Sequence, residues 1–169
     1  MVISKKSLGP NTQLAYAAIL CRELEAFRSG RSETFDHWLQ IQLIGPKGVF
    51  KRLEIGREAF LAAVSKASPR LDLGKITKQI QEALENPDLS LSNIQFKQIG
   101  RDGNAVYLST RMSMDVGDNH RLVTGLGGIT LLNSLPLTVI VYEATGQAKS
   151  REQLQPTLHQ LLTSLLTEN

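Results

Sequence analysis

The stretch Leu135-Pro-Leu-Thr-Val-Ile-Val-Tyr142 constrains this chain more than any other. It is uncharged, rich in β-branched residues, and apolar on both side-chain parities. Such a run reads as a strand covered on both faces, so helices must pack over the sheet that contains it. The remaining pattern fits that demand. The expected fold class is α+β: a mostly antiparallel sheet of about six strands, made from three hairpins and packed by N- and C-terminal helices.

The first expected helix starts at Asn11 or Thr12 and runs to about Arg28, with Ala17, Leu20, Cys21, Leu24 and Phe27 on one stripe. On that stripe Cys21 reads as a small buried hydrophobe rather than a nucleophile. Residues 1–10 lack periodicity and read as a flexible arm, which leaves residues 11–169 as a single domain.

After Ser29-Gly30-Arg31-Ser32 the pattern changes to alternation. His37–Ile44 and a second run carrying Val49, Leu53 and Ile55 are expected to form a hairpin around Gly45-Pro46-Lys47-Gly48. Helical spacing returns over Arg57–Ala67, with Phe60, Leu61 and Val64, and again over Lys75–Glu85, with Ile76, Ile80 and Leu84. A second hairpin joins Asn93–Gly100 to Ala105–Met114 through Arg101-Asp102-Gly103-Asn104. Asp115–His120 reads as a loop. A third hairpin pairs Arg121–Leu132 with Leu135–Glu143 at Asn133-Ser134, and Gly125, Gly127 and Gly128 suggest a bulge or a close backbone approach. Leu154, Leu158, Leu161, Leu162, Leu165 and Leu166 then form a broad helical stripe, starting from Ser150 or from Pro156, that covers the central strand.

The run from Ile129 through Tyr142 with its terminal amphipathic helix resembles the hairpin-then-helix ending of PsbP-like α/β/α sandwich proteins. The resemblance covers roughly the last quarter of the chain and carries over no functional site.

Composition excludes more than it selects. The 169 residues are 41% hydrophobic and 21% charged, which is globular composition, and 19 basic residues face 16 acidic ones, so the charge of +3 is a weak signal for nucleic acid. One cysteine rules out an intrachain disulfide framework. No window approaches the roughly 18 apolar residues of a membrane span, and the first residues lack a signal-peptide core, so the chain reads as soluble and cytoplasmic, with a mature exported fragment as the alternative.

No familiar chemistry stands out. Gly125-Leu-Gly-Gly128 has Thr130 where a dinucleotide fingerprint needs its third glycine, and Gly45–Gly48 lacks the phosphate-loop spacing. Asp115, Asp118 and Asn119 supply oxygen ligands without the glutamate of a calcium loop, so no metal and no cofactor are expected. His37, His120 and His159 form no ligand pair, and catalysis is not expected to be the role of this chain.

The leading expectation is a non-catalytic protein-interaction module, an accessory or assembly subunit or a homo-oligomer. Its partner-binding candidates are Lys97, Tyr107, Arg111, His120 and Arg121. Two alternatives stand beside it. The outward face of the second hairpin, with Gln95, Lys97, Tyr107, Ser109 and Arg111, offers one aromatic and two cations to single-stranded nucleic acid. A small-molecule enzyme or ligand carrier would use His120 or an unrecognised cleft.

Overall fold

The computed structural model describes residues 11–32, 34–45, 49–67, 89–144 and 151–167, with the side chains of 151–153 outside that description. The expected arm at 1–10 and the helix expected over Lys75–Glu85 lie outside the described residues. The described residues include six strands: β1 (Thr12–Ile19), β2 (His37–Ile44), β3 (Leu89–Arg101), β4 (Val106–Val116), β5 (Asn119–Leu132) and β6 (Leu135–Ala144). They form one sheet in the order β1-β2-β6-β5-β4-β3, and every neighbouring pair is antiparallel. Among the described residues three helices accompany it: α1 (Cys21–Arg28), α2 (Arg57–Ala67) and α3 (Arg151–Thr167). This is the expected α+β architecture.

The central position of β6 follows from its sequence. Between β2 and β5 both of its edges are paired, and Leu137, Val139 and Val141 are buried on one face. Leu154, Leu158 and Leu162 of α3 close over that face, with Leu126 of β5 and Leu39, Ile41 and Leu43 of β2 completing the layer. The leucine stripe is therefore spent on the sheet. The helix spans Arg151–Thr167 with Pro156 in its interior, so it does not start at Pro156. On the opposite face α2 packs Phe60 and Leu61 against Val106 and Leu131.

The β3–β4 and β5–β6 hairpins stand where the turn chemistry puts them. Asn133 and Ser134 both have positive φ, 47° and 66°, as a two-residue hairpin turn with the strands' own twist requires. At the other hairpin Asp102 Oδ1 accepts the backbone N–H groups of Asn104 and Ala105 at 2.7 and 2.9 Å, which fixes the turn locally.

Four local expectations are corrected. Thr12–Ile19 is a strand, and only Cys21–Arg28 is helical: β2 offers a ladder, with one register shift at Leu14/Tyr16, to an uncharged segment, and that tertiary pairing outweighs a helical spacing shared with Leu20, Leu24 and Phe27. Cys21 is exposed as a consequence. Residues 49–55 are not a strand; the place beside β2 is taken by β1 and β6, and Leu53 instead donates its N–H to the Ser134 carbonyl at 2.8 Å. The loop expected over Asp115–His120 shrinks to a turn, since Val116 pairs with Asn119 and Gly117 takes φ 56°.

The glycines of β5 serve side chains rather than a bulge. Register is continuous through them on both sides. A Cβ at Gly125 would lie 2.8 Å from the Tyr142 ring, and one at Gly128 would lie 2.7 Å from Leu162 Cδ1. The missing side chains leave room for the aromatic layer on one face and for α3 on the other.

Candidate functional site

The five residues singled out from sequence are not brought to one place. Gln95 faces Arg111 across the ladder and Lys97 faces Ser109, so these side chains share the α3-bearing face of the sheet, where Lys97 and Arg111 are exposed. Tyr107 lies on the same face, but its surroundings differ. Its hydroxyl donates to Asp102 Oδ2 at 2.7 Å, lies 3.3 Å from His159 Nδ1, and its ring stacks on the His159 imidazole with centroids 5.9 Å apart. Burial, and then the Asp102 carboxylate, push the Tyr107 phenol up. Burial acts upward on Asp102 too, but bonds from Tyr107 and from the Ala105 and Asn104 amides, with the nearby His159, hold it below the usual carboxylate value. Tyr107 thus braces the β3–β4 turn against α3.

His120 and Arg121 are neighbours in sequence that fall on opposite faces of β5. His120 Nδ1 lies 2.5 Å from Asp115 Oδ1, while Ser90 donates to Asp115 Oδ2 at 3.1 Å. The histidine bond holds the Asp115 carboxyl below its usual value. Serine, aspartate and histidine meet here in an order unsuited to nucleophilic catalysis, because the hydroxyl bonds the carboxylate instead of the imidazole that would have to take its proton. Arg121 turns to the segment before β2, where it donates to Thr34 Oγ1 at 2.5 Å and pairs with Asp36. Thr34, Asn119, His120 and Arg121 line an open cavity of about 320 Å³.

A second cavity of about 330 Å³ adjoins it through Thr34 and includes Glu23, Asp36 and His37. It borders a compact cluster of Glu23, His37 and Glu143 that sequence reasoning missed. Glu23 Oε2 accepts the backbone N–H groups of Asp36 and His37 at 2.8 and 2.9 Å, and Glu23 Oε1 lies 2.6 Å from His37 Nδ1. His37 Nε2 faces Glu143 Oε1 at 3.4 Å, and Glu143 is only 3% exposed. Both imidazole nitrogens thus face carboxylates, which leaves neither directed at an incoming substrate. The cluster fastens α1 to the start of β2. No group of three or more His, Cys, Asp or Glu among the described residues has the disposition to hold a metal ion.

Apolar side chains are exposed along β1 and α1, beside the charged Arg22, Glu25 and Arg28 of the helix. Tyr16 is 55% exposed, Leu20 43% and Phe27 37%, and α1 has no buried residue. Leu20 is the extended residue that precedes α1, and Phe27 in the last turn also packs its ring on Phe35 with centroids 4.9 Å apart. β1 is an edge strand of eight residues without a single charge, and Ala15, Tyr16 and Ala17 are exposed in succession. Edge β3 is guarded differently. It carries Lys97 and Arg101, a positive φ of 52° at Asn93 and two register shifts, against one shift in β1.

No family model matches this chain, and no curated protein matches it. Among the described residues no helix is long and apolar enough to cross a membrane.

Proposed function

We propose that this chain is a non-catalytic protein-interaction module, an accessory or assembly subunit that docks through its β1–α1 edge. The observation that carries the reading is the concentration of exposed apolar side chains, Tyr16, Leu20 and Phe27, along one continuous stretch of edge strand and helix. Exposed apolar residues scattered singly are ordinary, whereas a local group of them, running from an edge strand through its junction into α1, fits a surface completed by another protein. The polar clusters support the same reading from the other side, since their histidines are engaged by carboxylates and Tyr107.

The test is site-specific photocrosslinking from position 16 of the full chain in its native extract, repeated with Phe27→Glu. The proposal expects an adduct to one protein that the substitution abolishes. Adducts that are unchanged by Phe27→Glu would remove the edge from consideration.

Nucleic-acid binding is the second reading, favoured by the exposed Lys97 and Arg111 on one sheet face. With Tyr107 engaged by Asp102 and His159, that face offers cations without a free stacking aromatic. Binding there would depend steeply on salt and fall when Lys97 and Arg111 are both replaced by alanine.

A further inference from the structure

His37 and Glu143 stand directly opposite each other across the β2–β6 ladder, so their side chains leave the sheet on the same face. There His37 Nε2 lies 3.4 Å from Glu143 Oε1, and α1 brings Glu23 Oε1 to 2.6 Å from the other ring nitrogen, Nδ1. Three elements converge on one imidazole. The further charged groups around it among the described residues are Arg22 of α1, which lines the adjoining cavity, and Asp36 before β2, which is paired with Arg121 of β5. Ion-pair distance to the ring is reached by the two glutamates.

A neutral imidazole has one N–H and one lone pair, whereas an imidazolium has two N–H groups. Between two carboxylates the neutral ring can donate to one oxygen but must turn its lone pair toward the other. The imidazolium donates to Glu23 at a distance typical of charge-assisted bonds and is attracted by Glu143 across the longer gap. Glu143 is buried, so its ionised form gains from a cation beside it.

We infer that His37 is held as an imidazolium between Glu23 and Glu143, and that its second proton is a pH-sensitive latch joining α1 to β2 and β6. The helix has no buried residue, so its hold on the sheet depends on what Glu23 grips. Loss of the proton keeps the Glu23 bonds to the Asp36 and His37 amides but sets a ring nitrogen against a carboxylate oxygen. The direction is fixed by linkage. A proton bound more tightly by the folded than by the unfolded chain stabilises at low pH, and that stability is lost as pH rises through its release.

The experiment is ring-nitrogen NMR of the full chain, with hydrogen exchange followed over the same pH series. At about pH 7.5 a free imidazole, with its ordinary value of roughly 6.5, is mostly neutral. Both His37 ring nitrogens are expected to give imidazolium shifts there, and Glu143→Gln is expected to return them to neutral ones. As pH rises through the loss of that signal, the amides of α1, Asp36 and His37 should lose protection by up to about tenfold per pH unit, corrected for intrinsic exchange, which is the limit for one linked proton. His37→Gln should remove this dependence. A neutral ring at that pH in the natural chain would overturn the inference, whether Glu143 is ionised or, as its carboxyl carbon shift would show, holds the proton itself. An imidazolium whose loss leaves these amides equally protected would overturn the latch. If either variant loses the melting transition of the natural chain, the two measurements on the natural chain decide.

Discussion

Glu23 grips His37 twice, accepting its backbone N–H at 2.9 Å through one carboxylate oxygen and facing its Nδ1 at 2.6 Å through the other. Because α1 buries no residue of its own, this carboxylate is a principal fastening of the helix. Glu23→Ala strands two backbone amides and an imidazole at a side chain that is only 13% exposed, and is expected to cost about 1–3 kcal/mol. Hydrogen exchange should show α1 opening first, with β5 and β6 unchanged.

Gly125 and Tyr142 make a second prediction. The Tyr142 ring lies over Gly125 and is stacked on Trp38 at 5.0 Å and 18°, so it has little freedom to move away from a new methyl group. Gly125→Ala is expected to lower stability by about 1–3 kcal/mol by overpacking. Gly127→Ala meets its nearest atom at 3.2 Å and should cost less, an ordering that urea denaturation can check.

Truncation beneath α3 should be more severe. Leu158 is fully buried between the helix and the sheet, and Leu158→Ala is expected to cost about 2–5 kcal/mol. Equilibrium unfolding would then move to lower denaturant with an unchanged slope.

Acid should loosen the β3–β4 turn. The Asp102 carboxyl is held below its ordinary value of 3.8, so the stability it contributes is present above that value and is lost as pH falls through its lower folded value. Tyr107→Phe removes one of the bonds that lowers it and should flatten the pH dependence of the unfolding midpoint below pH 4. An equal pH dependence in the variant would place the effect at another carboxylate, such as Asp115.

The parts of this fold that were legible in the sequence are those whose local chemistry agrees with their tertiary surroundings. Asn133-Ser134 can adopt the positive φ values its turn needs, the apolar parity of Leu135–Tyr142 matches a strand buried in mid-sheet, and the leucines of α3 match the surface that covers it. β1 was illegible because its helical spacing is real but continues only through α1, while the strand is specified by β2, which lies beyond the helix in sequence. The Glu23–His37–Glu143 cluster carries no spacing signal at all. Its members meet only because β2 pairs with β6 and α1 folds back over the start of β2. The dispersal of Lys97, Tyr107, Arg111, His120 and Arg121 has a similar origin: strand parity separates His120 from Arg121, and α3 occupies Tyr107.

The most direct test of the docking edge is native mass spectrometry of the full chain isolated gently with its associated proteins, compared with the Tyr16→Glu/Phe27→Glu double variant. Tyr16 is well exposed, whereas Phe27 also packs its ring on Phe35 with centroids 4.9 Å apart, so the comparison requires that the variant keep the melting transition of the natural chain. The account predicts a stoichiometric hetero-complex for the natural chain and a folded monomer for the variant. An identical complex from both, or a monomer from the natural chain, would contradict it.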